Sequence, residues 1–463
     1  GEVNVPQTTF EEIVLKHFGE TQNPEGRNAQ LESLVATPPG PEKDLKRQAI
    51  EFKGSRPFIQ ILDRLIAHYG RHLIPFQDVY FNGVVLATRQ ELKSRFLRNE
   101  IGIPMAKQLK KIESTVLEKV HPLQRERVLK LEKIVQKSEG HELEIKSYSR
   151  LLAMKEAKKF LQRIREFTTV DYKTLYETLF ADRELFGKLS HGLELPPEIE
   201  EIISTTYAAI KAGKIAHEDC APLLYLQLRV NGSDAFPEIK QVIIDEAQDY
   251  YPLHYEIFKL LFRDARYTVL GDINQAIEKN AGVSLYDEII QIFAKDKALK
   301  LFLTKSYRCS YEIGEFTQRL MDLEQTVTPV PRHGAEPVIV AKAGRDELDQ
   351  AVAQTIAQYL GEGYESVAVI CKTQREAEAL FRRLSKLTKV KLVSGQDTAI
   401  DKGVLVISAY MAKGLEFDAV LVYGASAENY SDQFDRKLLY TACTRALHRL
   451  ALFYTGTISP WLK

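Results

Sequence analysis

No cysteine in this chain has a neighbour at metal-binding spacing. Cys220, Cys309, Cys371 and Cys443 are scattered and form no C-x-x-C pair, which excludes a disulfide framework and a zinc site of the usual kind. No apolar run approaches the ~20 residues needed to span a bilayer, so no membrane partner is expected. The first residues, GEVNVPQTTF, lack the charged and apolar regions of a signal peptide and read as a segment from the interior of a longer chain. A reduced, cytoplasmic protein is the expectation. There is no excess charge of either sign, with 63 Lys+Arg against 63 Asp+Glu. The phosphate-cradling loop G-x-x-x-x-G-K-[ST] is missing too. Gly187-Lys188 and Gly213-Lys214 have Asp182 and Ala208 where the first glycine belongs, and neither has Ser or Thr after the lysine.

What is present is an ordinary globular composition, 44% hydrophobic and 27% charged, over 463 residues, enough for two to four domains. The zero net charge hides an asymmetry: residues 101–170 carry 16 Lys+Arg against 9 Asp+Glu. That excess suits contact with phosphates or an acidic protein, and equally a solvated helical face. Residues 8–70 show helical periodicity. VYFNGVVL then places Asn82-Gly83 between two β-prone runs, the mark of a tight hairpin. Thr88 and Glu91 make a capping box. From there to Phe167 the pattern predicts three long projecting helices with breaks at Pro104, Pro122 and Gly140.

Beyond residue 236 the texture changes. QVIID, YTVLGD and LKLFL are short apolar runs alternating with helical stretches, and a second series follows from Glu336: PVIVAKA, SVAVICK, VKLVSG, VLVISAY, AVLVYGA and LALFYTG. Such runs suit strands buried on both faces of a parallel sheet. The expected architecture is α/β, two parallel-sheet units of which the first is interrupted by a long helical insertion. The expected divisions are 1–85, 86–185 (the insertion), 186–300 and 301–463.

VIIDEAQD (242–249) ends an apolar strand in two carboxylates, at the end of a strand where parallel sheets bind ligands. Asp245 suits Mg²⁺, and Glu246 suits the orientation and deprotonation of water, with Mg²⁺ reached through water. YTVLGDINQ sets Gln275 just past a second strand, where it can sense a γ-phosphate. TKSYRCS offers Arg308 for phosphate charge and Tyr307 for stacking on a base. AYMAKGLEFDAVLV sets Gly414 and Glu416 ahead of another strand, and LLYTACTRALHRL puts Arg445 on a helix able to reach across an interface. Taken singly, each arginine suits a surface ion pair, Tyr307 a packing role, and Lys413 a solvated lysine. The five segments together, in this order, make a joint signal.

DEAQD, GDxxQ, SYR, KGLEF and YTACTRA resemble motifs II to VI of superfamily-one helicases of the UvrD/Rep type, over residues 236–463. The resemblance implies two RecA-like domains with ATP between them. It assigns Asp245 to the magnesium, Glu246 as the base and Gln275 to the γ-phosphate. Tyr307 stacks on adenine, Arg308 and Arg445 are arginine fingers, and Glu416 contacts the ribose. QTTFEEIVLKHF, DVYFNGVVLATRQEL, CAPLLYLQLRV and GDINQAI are similar to HelD-type helicase-like factors associated with RNA polymerase, which extends the resemblance over nearly the whole chain. That implies an ATPase whose partner is core RNA polymerase, whose projections enter polymerase channels, and which helps strip DNA or RNA from it. It also places the phosphate loop before Gly1, so this chain alone is expected to be inactive.

Two departures weigh against a DNA translocase. Gln275 is followed by AIEKNAG, with Glu278 and no aromatic where UvrD-type enzymes grip single strands, and Tyr410 replaces a histidine. Base stacking contributes ~1–3 kcal/mol per base, so the loss is substantial. A UvrD-type translocase on single-stranded DNA and a non-catalytic binding module remain the alternatives.

Overall fold

The computed structural model describes residues 7–18, 24–98, 103–137, 144–233, 235–276, 282, 284–321, 328–394 and 402–463. Four helices come first: α1 (Phe10–Phe18), α2 (Arg27–Ala36), α3 (Pro41–Gly54) and α4 (Arg56–His68). In α4, Phe58, Ile61, Leu62 and Leu65 recur at helical spacing and form one buried stripe. Ser55 Oγ caps that helix by accepting from the Phe58 N–H at 3.3 Å. β1 (Val79–Phe81) and β2 (Val84–Ala87) then pair antiparallel. Asn82 and Gly83 between them both take positive φ, 51° and 79°, as a type I′ turn requires. The expected capping box opens α5 (Arg89–Leu97).

α6 (Met105–Val135) and α7 (Ile145–Thr168) form the projecting arm. Glu113 bonds Thr168 near its base and Arg127 bonds Glu156 further out, so the two helices run antiparallel. Only two helices of the expected three are long, because α5 stops after 9 residues. Pro104 does mark a boundary, at the N-cap of α6. Pro122 does not: α6 runs through it for 31 residues. A proline removes one helical hydrogen bond, but Val116 and Val120 before it and Leu131 and Val135 after it stay buried. Gly140 lies outside the described residues.

α8 (Tyr172–Ala181), α9 (Arg183–Ser190), α10 (Ile199–Lys211) and α11 (His217–Asn231) return the chain to the body, with α11 buried along most of its length. The first α/β unit follows as β3 (Gln241–Ile244), α12 (Pro252–Leu261), β4 (Arg266–Val269) and α13 (Ser284–Phe293). β3 and β4 pair in parallel, Ile244 opposite Val269. LKLFL, expected as a third strand, has no regular structure, and Leu299, Leu301 and Leu303 are exposed. An apolar run becomes a strand only beside a partner that takes its hydrogen bonds.

The second unit holds β5 (Lys305–Ser306), α14 (Tyr311–Arg319), β6 (Thr328–Pro329), β7 (Val338–Lys342), α15 (Arg345–Gly361), β8 (Ser366–Cys371), α16 (Gln374–Leu384), β9 (Lys391–Leu392), β10 (Gly403–Ser408), β11 (Phe417–Tyr423), α17 (Gln433–Cys443) and β12 (Ala446–Thr455). Six of these strands form a sheet in the order β7-β12-β11-β8-β10-β9, parallel at every junction. Alternate residues serve opposite faces: Ala368 and Ile370 join one core, Val367 and Val369 the other. The α/β expectation with a parallel sheet and a helical insertion therefore holds.

α2 belongs to the second unit's core although it precedes the first. Its Leu31 and Val35 pack with Ile407, Val420 and Leu439. The Glu32 carboxylate accepts from the Gln374 and Arg375 N–H groups at 2.9 and 3.3 Å and so caps α16. Lys43, buried, adds a 3.0 Å ion pair to Asp432.

Candidate functional site between the two units

β3 ends at Ile244, and Asp245 and Glu246 follow it as expected, Asp245 exposed and Glu246 half-buried. Glu246 takes φ 50° and ψ 42°, a left-handed conformation that disfavours any side chain with a Cβ. Its N–H donates to Asp245 Oδ1 at 2.8 Å. Gln248, buried, donates from Nε2 to Glu246 Oε2 at 2.5 Å and accepts at Oε1 from the Asp272 N–H at 3.0 Å. It therefore ties the carboxylate to the turn after β4, and among the described residues Glu246 Oε1 is left for another partner.

That turn carries Gln275, which is buried. Its Nε2 donates to Asp272 Oδ2 at 2.9 Å, and its Oε1 accepts from Arg445 Nη2 at 2.7 Å. Glu278 lies outside the described residues. Arg445 is not on a helix: α17 ends at Cys443 and β12 begins at Ala446, so Arg445 occupies the turn between them. It is 1% exposed. Nε and Nη1 donate to the Thr441 and Leu415 carbonyls at 3.1 and 3.3 Å. Burial, reinforced by the repulsion of Arg308, lowers its pKa to about 10, while Glu246 and Glu416 oppose the shift. It remains a cation at neutral pH.

Arg308 and Glu416 pair at 2.7 Å, both partly exposed. Each thus occupies the other's charge, so a contact with phosphate or ribose would have to share this pair. Tyr307 keeps its ring on the surface, 70% exposed. Gly414 has φ 80°, a conformation that favours glycine, and it lines a cavity of about 300 Å³ with Arg27, Asn28, Asp245, Glu246 and Lys413. The structure thus joins Gln275 and Arg445, links Glu246 to the Gln275 turn through Gln248, sets Arg308, Glu246 and Glu416 within electrostatic reach of Arg445, and leaves Tyr307 apart.

Lys413 corrects the sequence reading, since it is not a solvated lysine. It is 11% exposed, bonds Asp249 Oδ1, and donates to the Gln275 carbonyl at 3.0 Å. Three further participants were missed. Gln248 and Asp249 stand inside DEAQD, where their nearness to Glu246 was the available signal. Arg27, 3.0 Å from Asp249 Oδ2, had no sequence signal.

Among the described residues no group of three or more His, Cys, Asp or Glu could hold a metal, and no helix is long and apolar enough to cross a membrane. A family profile described as the UvrD/REP helicase N-terminal domain matches residues 77–280, and one described as the UvrD-like helicase C-terminal domain matches residues 403–453. The C-terminal domain of a possible DNA helicase from Lactobacillus plantarum is 35% identical over 34% of this chain and 92% of its own, with a TM-score of 0.30. The PRRSV helicase is 17% identical over 46% of this chain and 35% of its own, with a TM-score of 0.27. No curated protein matches the chain.

Proposed function

We propose that this chain, which belongs to the UvrD-like helicases of superfamily 1, is the ATP-hydrolysing body of a helicase-like factor that binds core RNA polymerase and promotes its release from nucleic acid and its recycling. The observation that carries the hydrolytic reading is the buried Arg445–Gln275 bond between the two units, with Glu246 tied to the same turn through Gln248. Glu246 Oε1 is the atom placed to take a proton from water, because Gln248 already holds Oε2. Arg445 supplies a cation out of solvent, where charge on a transferring phosphoryl group is stabilised most strongly. Adjacent carboxylates with Asp245 exposed fit Mg²⁺, which takes one or two carboxylates and completes its shell with water and phosphate oxygens. Bound there, Mg²⁺ would neutralise phosphate charge. Phosphate release by the protein expressed from its complete reading frame tests this reading: Glu246→Gln should abolish it, and undiminished turnover would reject it.

The polymerase half rests on the α6–α7 arm. Its outer part exposes Leu129, Ile134, Leu151 and Met154 within a basic stretch. These exposed apolar side chains among basic ones are the contacts this reading assigns to a protein partner. Gel filtration with core polymerase should show a complex that Leu129→Ser/Met154→Ser weakens. Failure of the intact protein to associate would leave the alternative, a UvrD-type translocase on single-stranded DNA, which the family match supports. That alternative requires hydrolysis stimulated by single-stranded DNA at low salt, where phosphate contacts are strongest.

A further inference from the structure

Asp249 closes the DEAQD segment, one short turn beyond Glu246. Its side chain is about nine-tenths buried, yet it meets two cations. Arg27 Nη2 is 3.0 Å from Oδ2, and Lys413 Nζ bonds Oδ1. The same Lys413 Nζ is 3.9 Å from Glu246 Oε2. The ammonium therefore stands between two carboxylates of one segment and is bonded to the second.

We propose that Asp249 is a positioning residue for hydrolysis, which captures Lys413 and keeps its ammonium from bonding the Glu246 carboxylate. This rests on reading Glu246 as the base. An ammonium bonded to that carboxylate would occupy the oxygens that must meet the attacking water. At 3.9 Å the pair is loose; without Asp249 the short reach to Glu246 is the nearest compensation for a buried ammonium. Arg27 engages Oδ2 and stops the carboxylate from turning, which leaves Oδ1 facing Lys413. Arg27 is held in turn by its helix, since Leu31, Val35 and Glu32 fasten α2 to the second unit. The second carboxylate, the lysine loop before β11 and α2 thus form one charge bridge across the junction.

The experiment is steady-state ATP hydrolysis by the protein from its complete reading frame, with wild type, Glu246→Gln, Asp249→Asn, Lys413→Met and Asp249→Asn/Lys413→Met compared. Asp249→Asn should lower kcat about tenfold, part of the roughly 10²–10⁴-fold that a positioned base contributes, and leave KM for ATP nearly unchanged. Removing the ammonium as well should restore kcat to the level of Lys413→Met alone, because the cation that would move onto Glu246 is gone. A merely structural Asp249 predicts no such rescue. Should Asp249→Asn fail to fold, Arg27→Gln replaces it, with a smaller loss of kcat that Arg27→Lys recovers. Wild-type kcat in Asp249→Asn, or a double variant no faster than the single one, overturns the proposal while Glu246→Gln still abolishes turnover. Turnover that survives Glu246→Gln rejects the base itself, and the proposal with it.

Discussion

Arg445 Nη2 and Gln275 Oε1 meet at 2.7 Å across the boundary between the two α/β units, both side chains closed to solvent. A hydrogen bond from a guanidinium to an amide oxygen in such surroundings is strong and directional. It makes the site a property of how the units are joined, since neither contains both groups.

From this contact comes the first prediction. In the protein from its complete reading frame, Arg445→Ala should cut hydrolysis by roughly 10³-fold or more, the scale of arginine fingers in related phosphoryl transfer. The association with polymerase proposed above, measured by gel filtration, should stay near wild type. Equal loss of both would make Arg445 structural, a holder of the Thr441 and Leu415 carbonyls.

Gly271 offers a second test. A Cβ there would lie 2.4 Å from Gln248 Oε1, 2.9 Å from the Tyr286 hydroxyl and 3.0 Å from the Ala247 nitrogen. Gly271→Ala should therefore destabilise the fold by about 1–3 kcal/mol, the usual cost of overpacking. It should also slow hydrolysis, because Gln248 is what steadies Glu246. Chemical denaturation and phosphate release check the two effects separately.

Lys437 on α17 gives a pH dependence. Burial lowers its pKa to about 8, with Glu51 opposing and Arg47 adding to the shift. An unfolded chain keeps that proton to about pH 10.4. Between pH 8 and 10 the unfolded state then binds more protons, so this group makes stability rise with pH; below 8 its full cost is present. Lys437→Met should raise the thermal midpoint at pH 7 by a few degrees, and the gain should shrink by pH 10. A pH-independent gain would refute the assignment.

The 463-residue chain by itself should hydrolyse ATP poorly, because it offers no G-x-x-x-x-G-K-[ST] loop whose N–H groups and lysine cradle the β- and γ-phosphates. Sustained phosphate release by this chain that is lost in Glu246→Gln would contradict this.

Legibility followed burial. Runs such as SVAVICK and VLVISAY announced β8 and β10 because both faces of that sheet are covered, which leaves a continuous apolar signature. LKLFL has the same signature and, among the described residues, no partner strand, so composition alone misjudged it. Pro122 failed as a break because an apolar seam on either side outweighs one lost helical bond. The places of Asp245, Glu246, Gln275 and Glu416 beside strands were readable from the apolar runs next to them. Arg27 was not, because nothing near it in the chain reflects its contact with Asp249.

By itself the sequence determined most local elements and the order of the chemical segments: carboxylates at a strand end, a glutamine turn, one arginine beside Tyr307 and another ahead of the last strand. These depend on periodicity and neighbours a few residues apart. Tertiary structure alone decided the pairings: Arg445 with Gln275, Arg308 with Glu416, and Lys413 with Asp249 in preference to Glu246. Which partner a buried charge takes depends on distances between groups far apart in the chain, and those are set only when the two units pack.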